Sequence, residues 1–475
     1  MSQRRIGATS LSRLLGEWHQ ENSRIPVYQQ LAGGLRLLIL DGRLPLDSRL
    51  PGERDLSTLL NVSRTTLTSA LALLREQGYL ASRQGSGSVT LLPESNPAVS
   101  PLPGIAPVLD LSGASLSAGP EIHQAYATAL TALPEYLGST GYNSQGILPL
   151  REAIAERYCS RGLPTDPDQI MVVNGALSGL GLVLRLLTGP GDRVVIENPT
   201  YSVALATIRG TSCRPVAVSL PSNGWDVEGL AATIAQTSPR LAYLLPDFHN
   251  PTGRCMDKET RQRICDVAAA SRTALVIDET MVDLWFDQPP PPPVAAFDHA
   301  DNVITLGSAS KSFWGGLRVG WIRASRKTIN ALIQVRNTFD LGTPILEQLA
   351  TIALLNEANS FLPQRRDLLR QRRDASFAAL GKLFPDWKTE QPEGGLSWWI
   401  ALPKAQATVF AAHAESAGIR IGAGPRFGVD GAFERYLRLP FTLETQAMYQ
   451  ALERLQPIWQ LLMEEPSERT RGIIV

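Results

Sequence analysis

The sequence predicts an α/β protein with a small N-terminal domain and a much larger domain built on a mainly parallel sheet. Its length of 475 residues exceeds that of one ordinary domain. Residues 26–92 follow a helical pattern that ends in a hairpin, whereas short apolar runs alternate with helical stretches further on. Residues 91–110 contain five prolines, which favours an extended spacer between the two parts. The predicted division is an N-terminal extension 1–25, a small domain 26–92, a linker 93–108 and a large domain 109–475.

Composition narrows the class of protein. The hydrophobic fraction of 44% and the charged fraction of 19% are typical of globular proteins. No apolar run approaches the roughly 18 residues that a membrane span needs, and the first residues lack the apolar stretch of a secretion signal. The four cysteines have no metal-binding spacing, so we expect no metal site and a cytoplasmic location. Residues 1–92 hold eleven arginines against seven acidic residues, a positive surplus that suits a nucleic-acid-binding module.

The small domain has the pattern of a winged helix-turn-helix. Helical patterns at 27–42, 54–60 and 64–78 precede two alternating strands at 79–92. Ser63 is a good N-cap for the third helix, and Gly78 ends that helix. Because the third helix of such domains enters the major groove, double-stranded DNA is the expected partner. In the extension, residues 10–22 are predicted to form a short amphipathic helix.

The large domain contains near-continuous apolar runs, which are typical of strands buried on both faces of a parallel sheet. They lie at 169–175, 192–198, 241–246, 273–279 and 302–308. Ligands bind to sheets of this kind beyond the carboxyl ends of the strands. Polar residues and glycines gather at those ends, which predicts a single site there.

Lys311 follows the last of these runs, and its amine is a natural partner for an aldehyde. The usual arrangement of this kind is a lysine that holds pyridoxal 5′-phosphate as a Schiff base. The further candidates are Gly175, Ala176, Leu177, Ser308 and Arg318 for the phosphate, Asp278 for the ring nitrogen, Asn250 for the ring oxygen and Tyr201 for stacking on the ring. Taken singly, each has an ordinary explanation, such as a solvated lysine, a helix-capping aspartate or a core tyrosine. Their joint position at the strand ends predicts the cofactor site.

Longer stretches of the chain resemble two known families. GYNSQGILPLREAIAERY (141–158), HNPTG (249–253) and SASKSFWGGLRVGW (308–321) resemble fold-type I aminotransferases. Residues 26–92, with the stretch VSRTT, resemble the winged-helix domain of GntR regulators. The two in this order resemble the MocR subfamily of GntR transcription regulators. The resemblance implies a winged helix-turn-helix joined to a fold-type I aminotransferase-like domain, which binds pyridoxal phosphate and senses a metabolite.

The resemblance also implies roles for individual residues. Lys311 resembles the Schiff-base lysine, and Asp278 resembles the partner of the ring nitrogen. Tyr142 resembles a tyrosine that reaches the phosphate bound by the neighbouring subunit, which implies a homodimer. Arg438 resembles the arginine that takes a substrate carboxylate, so an amino compound with a carboxylate is an expected effector.

The chain departs from the aminotransferase pattern at two places. Aminotransferases usually carry a tyrosine two or three residues after the aspartate, where this chain has Thr280 and Met281. Leu177 stands in the phosphate turn where a polar residue is frequent. Both departures favour cofactor binding without efficient turnover.

The winged-helix prediction supplies the DNA-binding candidates. They are Arg54, Ser63, Arg64, Thr65 and Thr66 around the helix-turn-helix, with Gln84 and Gly85 at the tip of the wing. Ordinary solvated or first-turn residues are the alternative explanation for each of them. The turn and the wing lie in the correct order around them, which favours contact with DNA.

These observations predict a pyridoxal-phosphate-responsive DNA-binding transcription regulator. Its large domain is expected to sense pyridoxal phosphate itself or an adduct of the cofactor with an amino compound. Two alternatives stay open at this point: an active aminotransferase with an appended DNA-binding domain, and a winged-helix repressor whose large domain serves only for dimerisation. Turnover with amino donors would identify the active aminotransferase. A lack of cofactor absorbance would identify the repressor whose large domain serves only for dimerisation.

Overall fold

The computed structural model describes residues 4–15, 18–19, 26–40, 44–83, 87–91, 109–222 and 224–464. The chain divides into two compact units, one of residues 1–100 with 119–131 and the other of residues 101–118 with 132–475. The predicted linker 93–108 and the predicted wing-tip residues Gln84 and Gly85 lie outside the described residues. The predicted domain boundary therefore stays a prediction. The helix Pro120–Ala132, whose residues the predicted boundaries place in the large domain, groups with the N-terminal unit as far as residue 131.

The N-terminal unit has the predicted winged-helix architecture. Its helices are α1 (Ala8–Leu15), α2 (Val27–Leu40), α3 (Glu53–Leu59), α4 (Arg64–Glu76) and α5 (Pro120–Ala132), and its strands are β1 (Arg4–Arg5), β2 (Ser48–Arg49), β3 (Leu80–Arg83) and β4 (Gly87–Thr90). The strands are ordered β1-β2-β4-β3, and β3 and β4 are the antiparallel wing. The side chain of Ser63 accepts a hydrogen bond from the Thr66 backbone N–H at 3.0 Å, as expected of an N-cap.

The N-terminal extension is part of this unit. Strand β1 pairs in parallel with β2, so it adds a strand to the wing sheet. Helix α1, shorter than the predicted 10–22, inserts Leu11 completely into the core beside Leu31, Leu67 and Leu71. Because β1 and α1 bury apolar surface and backbone hydrogen-bonding groups, removal of the extension is expected to destabilise the DNA-binding unit.

The larger unit is built on two sheets. Its strands are β5 (Leu109–Leu111), β6 (Ile170–Val173), β7 (Arg193–Asn198), β8 (Arg214–Ser219), β9 (Leu241–Leu244), β10 (Ala274–Asp278), β11 (Val303–Ser308), β12 (Gly320–Arg323), β13 (Lys388–Thr389), β14 (Ser397–Ala401), β15 (Ile419–Ala423) and β16 (Tyr436–Pro440). Its helices are α6 (Leu148–Ser160), α7 (Ala176–Leu187), α8 (Ser202–Gly210), α9 (Val227–Thr237), α10 (Lys258–Ser271), α11 (Ala309–Ser312), α12 (Arg326–Arg336), α13 (Ile345–Asn356), α14 (Ala358–Leu383), α15 (Ala407–Ser416) and α16 (Thr445–Glu464).

The central sheet confirms the predicted, mainly parallel arrangement. Its order is β6-β12-β11-β10-β9-β7-β8, and β12 alone among these described strands runs antiparallel to its neighbours. The five predicted strands are all present in it. Strands β8 and β12 were not predicted, because neither forms a continuous apolar run: β8 is half-exposed at the sheet edge, and β12 begins at Gly320 and ends at Arg323. The second sheet, β13-β14-β16-β15-β5, carries the C-terminal part of the unit.

None of the helices in the described ranges combines the length and the apolar character that crossing a membrane requires.

Candidate functional site

A cavity of about 230 Å³ opens at the carboxyl ends of the central strands. Nine of the residues predicted for the cofactor line it: Gly175, Ala176, Leu177, Tyr201, Asn250, Asp278, Ser308, Lys311 and Arg318. They follow five different strands of the sheet, and the carboxyl ends of neighbouring parallel strands meet at one edge. The predicted residues are therefore brought together as expected.

Lys311 lies in the short helix α11 directly after β11. Its Nζ donates a hydrogen bond to the backbone carbonyl of Ala114 at 2.6 Å. Burial, and then the charge of Arg438, lower the pKa of the Lys311 ammonium to about 8. An amine with this pKa is partly uncharged near neutral pH, and an uncharged amine can attack an aldehyde carbon.

Asp278 lies at the end of β10 and both of its carboxylate oxygens accept hydrogen bonds. Oδ2 accepts from the hydroxyl of Tyr243 at 2.7 Å, and Oδ1 accepts from the Thr280 backbone N–H at 2.9 Å. Burial raises the pKa of Asp278, while these hydrogen bonds and the charge of Lys311 oppose the rise. The carboxylate is thus fixed in orientation and supported as an anion at the cavity wall.

The start of helix α7 forms the anion-binding end of the cavity. Its N-cap is Gly175 with φ of +94°, and the first backbone N–H groups of a helix have no partner within the helix. Arg318 Nη2 donates to the backbone carbonyl of Asn174 at 3.2 Å, so its guanidinium lies over this turn. A Cβ on Gly175 would come within 2.9 Å of the same Nη2. The backbone conformation therefore favours glycine, and a larger residue would also have to displace the Arg318 guanidinium from this turn.

Arg438 is almost completely buried in β16 but does not line the cavity itself. Its Nη1 donates to Asn250 Oδ1 at 3.5 Å, and its Nη2 donates to the backbone carbonyl of Ser112. Among the described residues its Nε has no hydrogen-bond partner. Burial lowers the pKa of the guanidinium to about 10. A buried cation with an unpaired donor beside a cavity is suited to an anionic ligand group.

Tyr142 lies away from the cavity in this chain. The residue is 72% exposed, and a bridge between Asn143 and Gly342 brings its segment next to that of the exposed Leu341. The prediction that Tyr142 serves a neighbouring subunit agrees with this position and stays a prediction.

Sequence reasoning missed three groups at the site. From the sequence, Tyr243 is only a member of an apolar strand. Its hydroxyl was a usable signal of a polar contact, because its strand is the neighbour of the strand that ends at Asp278. The carbonyls of Ser112 and Ala114 reach Arg438 and Lys311 from the segment after β5. A backbone carbonyl has no side-chain signature, so these two contacts had no signal in the sequence.

The DNA-binding candidates form an exposed group on α3 and α4. Arg54, Arg64 and Thr65 are exposed, and neither arginine has an ionic partner within the described part of the chain. The hydroxyl of Ser63 is 2.7 Å from the hydroxyls of both Thr65 and Thr66. This hydrogen-bonded cap fixes the first turn of α4, where side chains of a recognition helix reach the bases.

Residues 135–455 match the family described as aminotransferase class I and II. The chain belongs to this family. Residues 27–89 match the bacterial regulatory proteins of the gntR family. An aminotransferase domain after a GntR domain confirms the predicted resemblance to the MocR subfamily.

Relatives of this aminotransferase-family chain fall into two groups. The HTH-type transcriptional regulator YisV of Bacillus subtilis is 28% identical, over 82% of this chain and 87% of its own length. The 2-aminoadipate transaminase of Thermus thermophilus is 30% identical, over 66% of this chain and 79% of its own length. The solved structure of LysN, the α-aminoadipate aminotransferase of the same organism complexed with N-(5′-phosphopyridoxyl)-L-leucine, has a TM-score of 0.69 at 27% identity, covering 75% of this chain and 93% of that chain.

Family membership indicates that the larger unit binds pyridoxal 5′-phosphate, as predicted. The residues present fit this cofactor. The cavity joins an amine of lowered pKa, a buried carboxylate and a glycine cradle under a guanidinium. These are the groups that an aldehyde, a pyridine nitrogen and a phosphate require.

Proposed function

We propose that this protein is a DNA-binding transcription regulator that senses pyridoxal phosphate, or an amino compound joined to it, in its aminotransferase-like unit. One observation carries the proposal: a single chain combines exposed, unpaired arginines on a winged helix with a lysine of lowered pKa in a cofactor-type cavity. The relatives YisV and, at 24% identity, the HTH-type transcriptional regulator NorG of Staphylococcus aureus align over 82% and 84% of the chain, so both units are matched together.

In the cofactor site, each residue has a proposed role. When bound, the cofactor supplies an aldehyde carbon that amines attack and a ring that withdraws electrons. Lys311 provides the amine that holds it, and Asp278 holds a proton at the ring nitrogen. Asn250 donates to the ring oxygen and Tyr201 stacks on the ring. The phosphate is held by Gly175, Ala176, Leu177, Ser308 and Arg318, and Tyr142 of a second copy is proposed to reach it.

Arg438 is proposed to bind the carboxylate of the effector. Its unpaired Nε and its contact with Asn250 support this role, because the carboxylate would satisfy a buried donor close to the cofactor ring. An amino acid or a similar amino compound is the ligand class that this arrangement favours.

In the DNA site, Arg64, Thr65 and Thr66 are proposed to reach the bases, with Ser63 holding their helix start in place. Arg54 and the wing-tip residues Gln84 and Gly85 are proposed to contact the backbone. A transcription regulator must reach genomic DNA, which in bacteria lies in the cytoplasm. Because the matching regulator family is bacterial, we assign the protein to the cytoplasm.

A homodimer completes the proposal. Tyr142 and Leu341 are exposed on two segments that a backbone bridge joins, and a second copy of the chain would cover them. Two copies would also supply two recognition helices for paired half-sites on DNA. Sedimentation of the cofactor-bound protein at micromolar concentration tests this, and a monomer would exclude it.

The second candidate is a working aminotransferase, which the 30% identity to 2-aminoadipate transaminase favours. We prefer the sensor, because Thr280 and Met281 cannot provide the phenol that aminotransferases place at the ring oxygen. Loss of one such hydrogen bond costs about a hundred-fold or more in rate. Steady-state turnover with a panel of amino donors and keto acids, measured beside operator binding, decides between the two. A rate near the ~10 s⁻¹ typical of enzymes favours the aminotransferase.

A further inference from the structure

Tyr243 makes a contact that none of the roles above includes. Strands β9 and β10 run side by side in parallel, and Tyr243 pairs in register with Val276, two residues before Asp278. From this place its hydroxyl donates to Asp278 Oδ2 at 2.7 Å. Both side chains are buried, and both line the cofactor cavity. The contact is thus made at the wall of the site, away from bulk water.

The direction of this hydrogen bond is fixed. Burial, and then the charge of Asp278, raise the pKa of Tyr243 well above its ordinary value, so the phenol keeps its proton and acts as the donor. Hydrogen bonding to the charged form stabilises a carboxylate, and burial alone would favour its protonation. Tyr243 therefore opposes the effect of burial on Asp278.

The second oxygen of the carboxylate is held from another direction. Asp278 Oδ1 accepts the Thr280 backbone N–H at 2.9 Å. Two donors on two different oxygens fix the plane of the carboxylate, while each oxygen retains a further lone pair. One of these lone pairs is available to a partner in the cavity.

We propose that Tyr243 is a positioning residue, which keeps Asp278 ionised and aims one of its lone pairs at the protonated ring nitrogen of the cofactor. The inference rests on the proposed function, because it requires pyridoxal phosphate in this cavity. It also gives the chain a phenol that acts through the ring nitrogen, whereas the phenol that aminotransferases place at the ring oxygen is missing at 280 and 281. The cofactor is then held firmly at its nitrogen and left without phenol support at its ring oxygen.

The competing explanation is that Tyr243 only fills the core, since it packs in the cluster that contains Ile196 and Val276. The two explanations differ for Tyr243→Phe, which keeps the ring and removes the hydroxyl. A packing role predicts unchanged cofactor affinity. The positioning role predicts a loss of about ten- to a hundred-fold, the usual effect of a hydrogen bond to a charged group. It also predicts a shifted absorbance maximum of the bound cofactor, because the protonation of the ring nitrogen changes.

A cofactor analogue makes the test specific. In 1-deazapyridoxal phosphate a carbon replaces the ring nitrogen, so Asp278 has no proton to hold there. Tyr243→Phe is expected to bind this analogue as well as the unchanged protein does, while its affinity for pyridoxal phosphate falls. Equal losses for both compounds would show general damage to the cavity and overturn the inference.

Tyr158→Phe is the matched control. Tyr158 is equally buried, its hydroxyl accepts a hydrogen bond from Trp321 Nε1 at 3.1 Å, and it does not line the cavity. Its variant is expected to keep both affinities. A double-mutant cycle with Asp278→Asn supplies a second test. In that background Tyr243→Phe should cause no further loss of cofactor affinity, and additive losses would contradict the proposal.

Failure of this inference is distinguishable from failure of the proposed function. If the unchanged protein binds no pyridoxal phosphate, the proposed sensor is wrong and the role of Tyr243 falls with it. If it binds the cofactor and Tyr243→Phe binds with the same affinity and spectrum, only the positioning role is wrong.

Discussion

Individual arginines of the two units are used in opposite ways. In the N-terminal unit Arg54 and Arg64 are exposed and, within the described residues, have no ionic partner. In the larger unit the fully buried Arg261 pairs with Asp247 at 2.6 Å, and the partly buried Arg161 pairs with the buried Glu279 at 2.7 Å. An unpaired surface cation is available to an external polyanion, whereas a buried pair holds the fold around it. Net charge alone would not have revealed this difference.

The buried cations of the cofactor site form a third case. Within the described residues Lys311 and Arg438 form no ion pair with a carboxylate, and they donate instead to backbone carbonyls. Their lowered pKa values follow from this partial desolvation. The exposed charges of the N-terminal unit thus suit a large ligand at the protein surface. The charges at the cofactor site of the larger unit suit a small ligand.

Lys311→Ala is expected to have the largest effect. The lysine-bound absorbance of the cofactor should disappear completely, because no other amine among the cavity-lining residues replaces it. Operator binding without cofactor should persist, since the N-terminal unit is untouched. Absorbance spectra measure the bound cofactor, and gel-shift titrations measure operator binding. Lys327→Ala, at an exposed lysine, is the control and should leave the spectrum unchanged. A persisting band in the Lys311 variant would contradict the assignment.

Leu11→Ala tests the structural role of the N-terminal extension. The side chain is fully buried, so its loss should reduce the free energy of unfolding of the N-terminal unit by about 2–5 kcal/mol. Hydrogen exchange of the α4 amides should accelerate, while the cofactor spectrum stays the same. Leu461→Ala, at a leucine that is 55% exposed, should change stability little. Unchanged exchange in α4 would mean that the extension is dispensable.

Arg64→Ala tests whether the exposed arginine at the start of α4 contacts DNA. A base contact contributes ~1–3 kcal/mol, so operator affinity should fall by roughly ten- to a hundred-fold. The cofactor spectrum should be unaffected. Arg13→Ala removes an equal charge from the exposed face of α1 and is expected to have a much smaller effect. Equal losses in the two variants would indicate a diffuse electrostatic effect in place of a recognition helix.

The pH dependence of cofactor capture tests the Lys311 amine without any substitution. The pKa of Lys311 is lowered to about 8, so below this pH the amine is mostly protonated and cannot attack the aldehyde. The rate of absorbance change on mixing should rise roughly tenfold per pH unit up to about pH 8 and then level off. Stopped-flow absorbance between pH 6 and 10 measures it. A rise that continues to pH 10 would mean that burial does not lower the pKa of this amine.

Much of the site was predictable from the sequence. Lys311, Asp278 and Gly175 end or follow apolar runs, and parallel strands bring their ends to one edge, so their proximity follows from the strand pattern alone. The winged helix was equally predictable, because Ser63 and Gly78 mark the ends of its third helix by local hydrogen bonds and local backbone geometry. Signals of this kind act within a few residues.

Contacts between distant segments were decided only by the tertiary structure. The pairing of β1 with β2, the hydroxyl of Tyr243 on Asp278 and the carbonyl of Ala114 on Lys311 each join elements far apart in the chain. Such contacts depend on strand register and loop packing, and Ala114 takes part through a backbone atom that every residue has. The sequence by itself therefore determined which strand-end residues reach the cavity edge. The packing of separate elements decided which hydrogen bonds these side chains form, how they are oriented and in which direction their pKa values are shifted. Burial and hydrogen-bond geometry exist only in the folded chain.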